Sequence, residues 1–168
     1  PGGFLTICGL TQVGSPCEDD GEELGLHGRA ASIPARDVRW GGEWKDDDYF
    51  LCVEGTIRQA AVFGENISLR RRIGFWLGGT RLWIEDIVEN HSFKPVPHML
   101  LQHFNLGFPL IDETTRLEIP VLSSQPRDEI ARAAIGRYNE MEEPQRNKPE
   151  EDFYHHLQAG SDGQVEVR

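Results

Sequence analysis

The chain has 168 residues, enough for one hydrophobic core, and sets 17 Lys and Arg against 28 Asp and Glu for a formal net charge of −11. Acidity of this size opposes binding to phosphate backbones, which relies on clustered Lys and Arg, so nucleic acid is not an expected partner. Cys8, Cys17 and Cys52 show no C-x-x-C spacing and no apolar run approaches the ~18 residues of a bilayer span; disulfide framework, zinc site and membrane are therefore set aside in favour of a reducing, cytoplasmic setting.

Eighteen glycines and ten prolines are spread along the chain with short apolar runs between them, the spacing of an all-β antiparallel sandwich or barrel. In chain order, Asp46-Asp47-Asp48 marks a turn and Tyr49 to Ile57 reads as a strand with Tyr49, Leu51, Val53 and Ile57 on one side. Ile67 to Leu77 is the clearest strand: Ile67, Leu69, Ile73, Phe75 and Leu77 share a side with Arg71, opposite Ser68, Arg70, Arg72, Gly74 and Trp76. The Arg70-Arg71-Arg72 cluster is thus split between faces and is expected to be solvated. Gly78-Gly79-Thr80 turns the chain into Arg81 to Glu89, making a hairpin. His98 to Asn105 is a further strand, with Met99, Leu101, His103 and Asn105 on one face. One helix is predicted, over roughly Asp128 to Met141, followed by a charged connector. His155 and His156 adjoin on a strand and point apart, and Gly163 to Arg168 alternates like another strand. Trp40, Trp44, Trp76 and Trp83 are expected to pack within the sheets. Residues 1–168 are expected to form one β-sandwich domain, a segment of a longer protein.

Two segments carry candidate chemistry. Cys17 to Arg29 is acidic and rich in glycine, and ends in His27-Gly28-Arg29. Flanking glycines allow a ligand close to the backbone, a histidine donates or accepts near neutral pH, and an arginine offers a forked donor to oxygen-rich ligands. The same features also fit a solvated structural histidine. The second segment, Pro95 to Pro109, places His103 and Asn105 two apart on a strand among apolar neighbours, where polar groups need partners. A core histidine satisfied by backbone fits it equally. No metal is expected, since Cys8, Cys17 and His27 match no familiar ligand spacing.

Together the two segments resemble the aldose 1-epimerase (galactose mutarotase-like) superfamily. Leu26-His27-Gly28-Arg29 is similar to its early His-Gly loop, and Gln102-His103-Phe104-Asn105-Leu106 looks like a shortened form of its central-strand motif, with Gln102 where Asn is usual and one residue fewer between His and Phe. Val88-Glu89-Asn90, Lys94-Pro95-Val96-Pro97, Gly64-Glu65-Asn66 and Gly107-Phe108-Pro109-Leu110 extend the resemblance. It implies a β-sandwich and an isomerase that interconverts the α and β anomers of a small-molecule sugar by acid/base catalysis without a cofactor. It further implies His103 as the catalytic acid, His27 and Arg29 as substrate-orienting groups, and Asn105 as a holder of a sugar hydroxyl or of the histidine ring. The superfamily's catalytic glutamate lies near its C-terminus, and no glutamate of this chain is assigned to that role. A carbohydrate-binding module without turnover is the alternative reading.

Overall fold

A computed structural model describes residues 3–168. The chain forms two compact units, one running up to Asn105 and the other over Leu106–Arg168.

The first unit holds a four-stranded antiparallel sheet of β4 (Arg36–Lys45), β5 (Asp48–Ala60), β6 (Asn66–Trp76) and β7 (Leu82–Asn90), in sequence order. Each strand follows its predecessor through a tight turn, which is why neighbours in sequence are neighbours in space. Asp46, in the left-handed region at φ 57, closes the β4–β5 hairpin at the predicted acidic turn. A two-stranded antiparallel sheet pairs β1 (Leu5–Leu10) with β8 (Met99–Phe104), and a small hairpin joins β2 (Cys17–Asp19) to β3 (Glu22–Leu24).

The core lies between the two larger sheets. Ile57, Ile67 and Leu69 on one face of the four-stranded sheet cluster with Leu10 and Ala30, and Ile7, Ile33, Val88, Val96 and Leu100 pack against them. Leu10, Ile67 and Leu69 are almost wholly buried, each contributing on the order of 1.5–3 kcal/mol by leaving water. Buried Gln59 uses its whole amide: its oxygen accepts from the Leu10 amide, and its nitrogen donates to Thr11 and Glu65. That bond set fastens the end of β1 to β5 without leaving an orphan polar group.

Arg71 corrects the expectation of a solvated basic cluster. It shares the core face, as the alternation required, and its guanidinium makes two 2.7 Å bonds to Asp86 of β7, with Arg71 17% and Asp86 7% exposed at the side chain. Gln102 of β8 donates to the same carboxylate. A paired acid on the neighbouring strand lets a charged side chain occupy the interior position that the alternation gives it. The expectation for the tryptophans holds at three positions and needs correction at one: Trp76 and Trp83 pack against Phe50 and Trp44 against Tyr49 across the β4–β5 ladder, whereas Trp40 is 80% exposed.

In the second unit β9 (Val121–Pro126) pairs antiparallel with β10 (Phe153–Leu157). His155 and His156 do face apart; the His155 ring bonds Ser124 and stacks near Tyr138, and burial pushes its imidazole pKa down. The predicted helix is shorter than expected. Asp128 caps α1 (Glu129–Ala134) by accepting from the Ala131 amide, and a single 3-10 turn, Ile135–Arg137, ends it. Beyond it the backbone is drawn into bonds with another segment, Leu117 donating to Asn139 and Arg116 bridging Glu140, which outcompetes a thin apolar stripe. Gly163 to Arg168 is not a strand; Arg168 alone exchanges backbone bonds with Glu118. Among the described residues no helix is long and apolar enough to cross a membrane, which says nothing of spans made of strands.

Candidate active site

His27 sits where β1 meets the loop after β3. Its backbone is in the left-handed region at φ 59, uncommon for a residue with a Cβ, and Gly28 follows at φ 74. The loop is held at both ends of His27: its amide donates to Gly14, and its carbonyl accepts from Gly9 of β1. Gly28 then bridges Gly9 in parallel register. A Cβ on Gly28 would stand 2.4 Å from the Gly9 carbonyl oxygen and 2.6 Å from that of Gln12. The glycine therefore serves the close approach of the chain to itself, where the sequence suggested room for a ligand.

The Gly14 amide donates to Nδ1 of His27 at 3.3 Å. A ring that accepts at Nδ1 carries its proton on Nε2 when neutral, so the free edge of His27 is a donor.

His103 comes from β8, directly opposite Thr6 of β1. Gly9 pairs with Leu100 of β8 and also bridges Gly28, so β1 runs between the two histidine-bearing segments. The rings meet edge to face with centroids 5.8 Å apart. Both are half-buried. Along β8 the alternation sends Leu100 and Gln102 into the core and His103 to the opposite side, with Met99 and Leu101.

The other two predicted residues lie close in the chain but have protein partners. Arg29 is exposed and bonds Glu65 at 3.1 Å, with Glu22 at 3.6 Å. Burial works to raise the Glu65 pKa, but its own amide, the Gln59 amide and the Arg29 guanidinium outweigh that and hold it below the usual range. Arg29 is thereby tied through Glu65 and Gln59 to the Leu10 amide, the end of β1. Asn105 donates its side-chain amide to the Gly3 carbonyl at 2.7 Å and its main-chain amide to Phe4, prolonging the β1–β8 ladder and leaving its side-chain oxygen to accept.

Residues missed in the sequence are those that support the histidines: Gly9 and Gly14 through their backbone, and Glu65 and Gln59 through Arg29. Backbone donors leave no side-chain signature. Glu65, lying in a turn before a strand, carries no periodicity that would mark it as a partner of Arg29. Among the described residues no group of three His, Cys, Asp or Glu is placed to hold a metal.

Two antiparallel sheets face each other across the core as a β-sandwich, with the histidine pair beside β1. The crystal structure of a candidate aldose 1-epimerase from Klebsiella pneumoniae subsp. pneumoniae shares this fold, with a TM-score of 0.88 at 21% sequence identity; the match covers 96% of this chain and 42% of that one. Over residues 1–168 the chain matches, and belongs to, the family described as Domain of unknown function (DUF4432). No curated protein matches it.

Proposed function

We propose that this chain contributes the acid-bearing half of an aldose 1-epimerase-like site, at which a sugar ring opens and recloses on its other anomeric face. The observation that carries the reading is the edge-to-face approach of His27 and His103, from segments far apart in sequence, on a fold shared with a candidate aldose 1-epimerase.

Ring opening removes the proton of the anomeric hydroxyl, breaks the bond from the anomeric carbon to the ring oxygen, and places a proton on that oxygen. Rotation of the resulting aldehyde and the reverse steps give the other anomer. His103 is assigned the proton delivered to the ring oxygen, a role for which an imidazole suits neutral pH. His27 donates from Nε2 to a sugar oxygen, Arg29 orients the ring from the loop, and Asn105 offers its side-chain oxygen to a hydroxyl. The base is assigned to no residue of this chain. Three unpaired cysteines support a reducing, cytoplasmic setting.

The test is ligand-observed NMR with a panel of free aldoses, recording binding and α/β exchange in the same samples. Binding of a free aldose, weakened in His27→Ala and in His103→Ala, is the result expected of the acid-bearing half, and exchange faster than in buffer alone that is lost in His103→Ala would show that the chain also supplies a base. Binding without faster exchange fits the acid-bearing half of the site and a carbohydrate-binding module alike, and absence of both binding and exchange would overturn the reading.

A further inference from the structure

The four-stranded sheet has a second face, opposite the one that carries Ile57, Ile67 and Leu69. Residues directly opposite in register share a face, so three successive rungs are read across it: Glu43, Phe50 and Trp76; Gly41, Cys52, Gly74 and Trp83; Arg39, Glu54, Arg72 and Glu85. Gly41 and Gly74 leave the middle rung low. Phe50 lies over Gly74, where a Cβ would strike its ring, and groups with Trp76 at 5.1 Å and Trp83 at 6.1 Å between centroids. The Arg72 guanidinium stands 5.9 Å from the Phe50 centroid. Two cavities of about 390 and 560 Å³ flank this cluster and share Phe50 and Arg72 among their walls.

Charge selects the occupant. The third rung alternates two Arg with two Glu and sums to zero. Among the described residues Arg39, Arg72 and Glu85 form no ion pair, and Glu54 has only Arg70 at 3.7 Å. An anion meets Glu54 and Glu85 there, and a cation meets Arg39 and Arg72. A neutral polyhydroxylated ring meets neither penalty: its hydroxyls accept from Arg and donate to Glu, and its C–H face lies on an aromatic side chain. The adjoining cavities extend this arrangement beyond a single ring. We propose that this face is a second, non-catalytic site for a neutral oligosaccharide. It rests on the sheet alone and is independent of the reaction assigned to the histidines.

The full chain would be titrated with maltohexaose, cellohexaose, mannohexaose and xylohexaose, following tryptophan fluorescence and saturation-transfer NMR, with sedimentation equilibrium alongside. At least one hexasaccharide should bind, its affinity falling tenfold or more in Trp83→Ala and in Arg72→Ala while His103→Ala leaves it unchanged. Arg72 is exposed, so its variant keeps the test valid if Trp83→Ala misfolds. The proposal is overturned if no hexasaccharide binds, if binding is lost in His103→Ala but kept in Arg72→Ala, or if the face proves to join two copies, shown by a dimer that Arg72→Ala dissociates.

Discussion

The imidazole of His27 meets that of His103 edge to face, 5.8 Å between centroids, with β1 running between the segments that carry them. Neither ring is positioned by its neighbours in sequence alone. His27 is set by main-chain bonds to Gly9 and Gly14, and His103 by the β8 ladder with β1. The spacing of the pair is therefore a property of β1 and of the backbone that docks on it.

Gly28→Ala should disrupt this docking. The new Cβ meets two carbonyl oxygens at 2.4 and 2.6 Å, and the left-handed backbone adds ~1–2 kcal/mol on its own. A loss of more than about 2 kcal/mol is expected from urea denaturation. Gly25→Ala, with nothing within 4 Å of its Cβ, should stay within about 0.5 kcal/mol of wild type.

Asp86→Ala strands the Arg71 guanidinium in the interior and deprives Gln102 of its acceptor. Removing one member of a buried pair costs roughly 3–5 kcal/mol, and replacing both with apolar groups costs far less. Chemical denaturation of Asp86→Ala, Arg71→Met and the double variant should therefore give strongly non-additive losses, with the double variant more stable than Asp86→Ala. Additive losses would show that the pair is not coupled.

Glu65 links stability to pH. Its folded-state pKa is depressed, so its contribution is fully present above the unfolded value of about 4.3 and is lost as pH falls through the lower folded value. Wild type should exceed Glu65→Gln in thermal stability at pH 7, and the two should converge only once pH has fallen through the depressed folded value. A difference that stays constant as pH falls would show that the bonds of the Glu65 carboxylate to its own amide and to Gln59, with its pairing to Arg29, contribute nothing through its charge.

The thiols should react unequally. Cys8 is 1% exposed and burial pushes its thiol pKa up, while Cys17 is exposed. Thiolate access governs reactivity. Iodoacetamide followed by peptide mass spectrometry should modify Cys17 first in the native protein and reach Cys8 only on unfolding.

The central strands were legible in the sequence because their alternation is strict. Ile67 to Leu77 and Arg81 to Glu89 fall within a residue or so of β6 and β7, and the side assigned to each apolar residue agrees with the register. The strand bearing His103 was legible for the same reason, down to the face that His103 takes. Arg36–Lys45 was not recognised as a strand: all ten residues are exposed, and Gly41 and Gly42 interrupt any alternation. The meeting of His27 with His103 was not readable from spacing, because it depends on glycine backbones at positions 9, 14 and 28. Arg71 went the same way, since its interior placement rests on an aspartate one strand over. Local pattern reveals faces; which charged groups find each other across strands is a property of the assembled sheets.

The most direct test is a double-mutant cycle at His27 and His103, read as the affinity for a free aldose by ligand-observed NMR and as any mutarotation rate above that of buffer by polarimetry. If the two rings act on one sugar, each single Gln variant loses affinity and most of any rate enhancement over buffer, and the double variant loses little more than His103→Gln. A wild type that neither binds a free aldose nor exceeds the buffer rate, or losses that simply add, would contradict a joint site.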